Sequence, residues 1–148
     1  LRSLTNMSYI FYGASVFNAD ISAWDVSAVT TIEGAFADAS TFNQDIGRWD
    51  VSSVTNMEGA FYGATAFNQS IGTWNISAVT NMDDMFAGVT LSTENYDALL
   101  NAWSLQLPLF DFVKFSAGSS QYSASAQVAR DILTGTYFWN ISDGGVVP

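Results

Sequence analysis

Residues Phe42 to Ala66 read FNQDIGRWDVSSVTNMEGAFYGATA, and most apolar letters of that stretch recur 25 positions before or after it. Trp24, Trp49 and Trp74 keep that spacing, as do Phe17, Phe42 and Phe67, and Ile21, Ile46 and Ile71. So do Phe11, Phe36, Phe61 and Phe86, the valine set Val29, Val54 and Val79, and the threonines Thr5, Thr30, Thr55 and Thr80. A 25-residue unit holds too little core to fold alone, so consecutive units must stack and bury one another's apolar faces. The expected architecture is therefore one-dimensional.

Within a unit, Trp49 and Val51 alternate with Arg48, Asp50 and Ser52, a period-2 run that predicts a short strand. Val54, Met57 and Phe61 follow at i, i+3 and i+7, with Ser52 or Ser53 as N-cap and Gly63 as a stop, which predicts one or two helical turns. FNQDIG suits an irregular connection. One strand and one helix per unit make an α/β solenoid with a parallel sheet. The departures are few: Thr31-Ile32 stands where Asn56-Met57 and Asn81-Met82 recur, and Asp38 replaces Gly13, Gly63 and Gly88.

VTNMEGAFYGATAFNQSIGTWNIS and FNQDIGRWDVSSVTNMEGAF resemble the short repeats of bacterial surface proteins of the BspA-like leucine-rich-repeat family. The resemblance covers about residues 1 to 90. It implies a right-handed α/β solenoid of leucine-rich-repeat type, exposed on a cell surface or secreted, and used for attachment to a host or matrix protein, a glycan or a neighbouring surface protein. It also implies that Asn18, Asn43 and Asn68 form an inward asparagine ladder.

After Phe86 the register breaks. Tyr96, Leu99, Leu100 and Trp103 predict an amphipathic helix beginning at Ser92 or Thr93 and ended by Leu107-Pro108. Phe112–Phe115 is the best strand candidate. Ser125 is expected to cap a second helix with Val128, Ile132 and Leu133 inward, and Trp139-Asn140-Ile141-Ser142 to add a last strand. One domain results, with the repeat array over residues 1–90 and an α/β capping segment over residues 91–148. The chain opens at Leu1 part-way through a unit and reads as a piece of a longer protein.

Composition narrows the function. Among 148 residues there are 4 Lys+Arg against 14 Asp+Glu, a formal charge of −10, with no Cys and no His. That charge repels phosphate backbones and anionic lipid, which disfavours nucleic-acid partners, and no stretch is long enough for membrane insertion. Without His or Cys there is no imidazole or thiolate metal site and no His- or Cys-based nucleophile pair. The carboxylate pairs Asp20/Asp45, Asp25/Asp50 and Asp83/Asp84 arise from the repeat or lie apart from any acid–base–pocket set, so no enzyme and no cofactor is expected. Calcium is a weak third option, since no calcium-loop motif appears.

If Trp and Val face inward, Asp25, Asp50 and Asn75 project from the concave sheet face. Arg48 and Thr73 stand beside them, and Lys114 and Asn140 extend the column if the cap strands join in order. These seven residues form the expected ligand-binding face. The plainer reading is a solvated polar face in which Asp and Ser cap turns. The expected function is an extracellular adhesion or protein/glycan-binding module. The alternative is a structural spacer or self-assembling surface element without a foreign ligand.

Overall fold

The computed structural model describes residues 3–148. Consecutive units lie on one another in fixed register: parallel bridges join Asn6 to Thr31, Thr31 to Asn56, and Asn56 to Asn81. The α/β leucine-rich-repeat solenoid, with a strand and a helix in each unit, does not form. Among the described residues the regular elements are two α-helices, one 3-10 turn and two three-residue strands, all after residue 92.

Local hydrogen bonding explains the difference. From Met57 to Ala64 the chain closes successive turns, in which the N–H groups of Ala60, Tyr62 and Ala64 donate to the carbonyls of Met57, Gly59 and Phe61. The intervening N–H groups of Met57, Gly59, Phe61 and Gly63 donate across to Asn81, Asp83, Met85 and Ala87 of the next unit at 2.8–2.9 Å. Gly59 and Gly63 hold φ of +59° and +68°. A helix needs negative φ throughout, whereas a turn of type II geometry needs the positive value at its third residue. The i, i+4 spacing of Met57 and Phe61 thus comes from two four-residue turns, not from helical periodicity.

The expected strand fails for a related reason. The Trp49 N–H donates to the Ile46 carbonyl, that of Val54 to Val51, and that of Ser52 to Asp50 Oδ1. The backbone there is spent on turns, so Trp49 and Val51 point inward from two bends and not from a pleat.

What holds the units together is a set of aromatic columns. Phe11, Phe36, Phe61 and Phe86 stack with centroids 5.4, 5.3 and 5.2 Å apart, and Phe17, Phe42 and Phe67 at 5.7 and 6.0 Å. Trp49 and Trp74 are buried and stack at 6.4 Å. Their indole N–H groups donate to the Ile21 and Ile46 carbonyls of the preceding unit, at 3.1 and 2.9 Å. Trp24 departs from the expected core column at 40 % exposure, because no described residue stacks over the outer side of the first unit.

The last third covers the other end. Helix α1 (Thr93–Trp103) is capped by Ser92, which accepts the Asn95 N–H, and buries Tyr96, Leu99, Leu100 and Trp103. The Trp103 indole donates to the Ile71 carbonyl, so a helical residue supplies the next member of the tryptophan series. Strand β1 (Lys114–Ser116) bridges to Met82 through Phe115 and pairs in parallel with β2 (Asn140–Ser142). Between them, Ser123 rather than Ser125 caps the 3-10 turn Ala124–Ala126, which leads into helix α2 (Gln127–Gly135). Helix α2 buries Ala129 and Leu133, while Val128, expected inward, is 72 % exposed.

A polar knot ties the cap together. Tyr96 OH donates to Asp143 Oδ2 at 2.6 Å, and Arg130 Nε donates to the same oxygen at 2.9 Å. The Arg130 guanidinium also lies over the Tyr122 ring, 5.2 Å from its centroid. Burial and the hydrogen bond to Asp143 both push the Tyr96 phenol far above its ordinary value. Burial works against the Arg130 charge, yet the Asp143 contact outweighs it and raises the guanidinium pKa.

Candidate binding groove

The residues expected to form one concave face do not share a sheet. Asp25 and Asp50 each accept the N–H and hydroxyl of the serine two residues on, Ser27 and Ser52, and Asn75 does the same with Ser77. They are exposed turn-formers, and the serine hydroxyl, then the backbone N–H, holds both carboxyls below the usual carboxylate range. Thr73 is engaged with the next unit, its hydroxyl donating to the Gly47 carbonyl at 2.6 Å. Arg48 and Thr73 border an open depression with Asp45, Gln69 and Asn95, and Thr73 also borders a second one with Asn75, Gln106 and Leu107. Lys114 and Asn140 face each other across β1 and β2. The Met82–Phe115 bridge sets Lys114 beside Asn81, so these two extend the Asn81 column rather than that of Asn75.

The asparagine ladder exists on the surface, not inward. Asn18 Oδ1 accepts the Asn43 N–H, Asn43 Oδ1 the Asn68 N–H, and Asn68 Oδ1 the Ser92 N–H, all at 2.8–2.9 Å, and all three asparagines are exposed. Gln44, Gln69 and Asn95 side chains each donate to the same asparagines. The ladder therefore runs from the units into α1 without interruption.

A different face carries a built depression. Repeat positions 9, 34, 59 and 84 all hold left-handed backbone, φ +56° to +59°, and are occupied by Tyr, Gly, Gly and Asp. The two middle rungs have no side chain, and both line a groove of about 220 Å³ in which Gly59 leaves its backbone open while Gly34 is buried. Tyr9 and Asp84 stand toward its ends; Tyr12, Tyr62, Glu33 and Glu58 line it as well. Tyr9, Tyr12 and Tyr62 are 53, 60 and 49 % exposed, an unusual display for three large rings on one face. The Tyr9 ring lies across Gly34, where a Cβ would stand 2.3 Å from it, and its hydroxyl donates to Glu33 Oε1 at 3.1 Å. That hydrogen bond raises the phenol pKa. Glu58 Oε2 accepts from Asn81 Nδ2 at 3.2 Å.

Sequence reading passed over this groove because its residues are departures from the repeat. Tyr12 and Tyr62 alternate with Ala37 and Ala87, and Tyr9 replaces the glycine of the next two units. Large aromatics at positions that other units fill with Gly or Ala were the available signal.

A family model described as "Mycoplasma protein of unknown function, DUF285" matches residues 1–103. The chain belongs to the DUF285 family. The DUF285 match extends beyond the four units to Trp103, the residue whose indole continues the tryptophan series from α1. No curated protein matches the chain, and neither does any solved structure. No helix among the described residues is long and apolar enough to cross a membrane, and no group of three or more carboxylates among them is arranged to hold a metal ion.

Proposed function

We propose that this chain is a surface-displayed binding module that attaches to a partner along its turn-built face, with the groove over Gly34 and Gly59 as the contact. The observation that carries the reading is the exposure of Tyr9, Tyr12 and Tyr62 around a groove whose Gly59 rung has no side chain. Tyrosines display large apolar area at low entropic cost and retain a polar tip, which is why they recur at recognition surfaces. The DUF285 match is compatible with a bacterial surface repeat protein, and the resemblance of the repeats to BspA-like sequences fits an extracellular or cell-surface setting. Attachment to a host or matrix protein, a glycan or a neighbouring surface protein follows from that setting, without catalysis.

The test is capture on arrays of matrix proteins and glycans, comparing the parent chain with the Tyr12→Ser/Tyr62→Ser variant. Both rings are about half exposed, so the variant keeps the fold. Capture that falls at least tenfold supports the reading; undiminished capture contradicts it. A second reading, a self-assembling surface element, draws on the in-register backbone ladder that joins each unit to the next. Concentration-dependent growth in light scattering would favour it.

A further inference from the structure

The groove has a definite charge character. Three carboxylates line it, Glu33, Glu58 and Asp84, and no lysine or arginine does. Each glutamate spends one oxygen on the protein: Glu33 Oε1 on the Tyr9 hydroxyl and Glu58 Oε2 on the Asn81 amide. Glu33 Oε2 and Glu58 Oε1 accept from no protein donor among the described residues and stay available. The two glutamates are one rung apart, about 5 Å in stacked backbone. We propose that this groove binds an arginine side chain presented by an extended peptide segment of a partner protein, an inference that rests on the groove being the contact surface.

Complementarity argues for the cation on several counts. A planar guanidinium has enough donors to reach Glu33 Oε2 and Glu58 Oε1 together, which a point-like ammonium does less well. Tyrosine faces attract cations, and Arg is the commoner partner. Because Gly59 lacks a Cβ and nothing stands over it closer than Tyr62 Cβ, a flat group can lie directly on that rung, beside the Tyr9 ring that already lies across Gly34. An anionic ligand would meet the carboxylates and a chain of net charge −10. A purely apolar ligand would strip water from carboxylates without replacing their hydrogen bonds. The peptide context follows from shape: Tyr12 and Tyr62 stand two repeats apart on one wall, a longer contact than a single guanidinium fills.

The experiment uses the 148-residue chain, ¹⁵N-labelled, titrated at low salt with three probes. These are the blocked pentapeptide Gly-Gly-Arg-Gly-Gly, the same peptide with uncharged citrulline in place of arginine, and spermidine. Amide shifts of Gly34 and Gly59 report occupancy. The expected result is binding of the arginine peptide about tenfold or more tighter than the citrulline peptide. Glu33→Gln/Glu58→Gln should remove that preference while leaving amide shifts in the cap unchanged. Equal binding of the citrulline peptide overturns the cation assignment but leaves the groove as a contact surface. Equal or tighter binding of spermidine overturns the peptide assignment. If none of the probes moves Gly34 or Gly59, the inference fails, and the tyrosine capture assay judges the groove separately.

Discussion

Replacing Gly59 by alanine separates the turn-built unit from a helical one by the sign of its effect. In a helix interior, Gly to Ala gains about 0.8–1.0 kcal/mol. Here Gly59 holds φ +59°, and an added Cβ meets nothing closer than Tyr62 Cβ at 3.8 Å. The site therefore has room, and the whole cost is backbone strain, about 1–2 kcal/mol for a left-handed L-residue. Tyr9, Asp38 and Asp84, at φ +56° to +58°, demonstrate that the backbone geometry accepts side chains at that cost. With a urea m-value of about 2 kcal/mol/M, Gly59→Ala should lower the unfolding midpoint by about 0.5–1 M. A helical unit would raise it by about 0.5 M. A midpoint that rises would refute the reasoning.

Other outcomes follow from the same structure. Trp74→Ala removes a fully buried ring and its bond to Ile46 and should cost about 3–5 kcal/mol, against about 1–2 for Trp24→Ala, where solvent fills the space; equal costs in urea unfolding would contradict the stacking account. Asp143→Ala strands the Tyr96 hydroxyl and the Arg130 guanidinium and should cost about 2–4 kcal/mol in the same assay. Because the Asp25 and Asp50 carboxyls are lowered in the folded chain, their contribution is present above the unfolded value and lost as pH falls through the folded one. Asn75 makes the same turn with Ser77, so Asp25→Asn/Asp50→Asn should keep the fold and flatten the acid limb of stability below about pH 4. An acid limb identical to the parent's would count against these turns.

The periodicity was legible because identical side chains stack: the Phe61 ring meets Phe36 and Phe86, and no other packing explains four phenylalanines in step. The backbone between them was not. Apolar spacing reports which residues point inward but not whether a helix or successive turns carry them there, and Met57 and Phe61 satisfy both. The deciding letters were Gly59, which the spacing argument did not use, and Gly63, read as a helix stop, though both lie inside a ladder to the next unit. Helix α1 was readable because it has a true 3.6-residue stripe and a serine cap. Trp103 was placed in that helix by spacing, yet its membership of the tryptophan series was hidden because the register had broken. The groove escaped because it depends on side chains absent from two rungs, which a search for recurring residues does not register.

Hydrogen-bond scalar couplings measured by NMR on the ¹³C,¹⁵N-labelled chain test the central structural claim most directly. The account predicts through-bond couplings from the amide nitrogens of Met57, Gly59, Phe61 and Gly63 to the carbonyl carbons of Asn81, Asp83, Met85 and Ala87. Couplings from Phe61 and Gly63 to carbonyls four residues earlier, as in a helix, would contradict it.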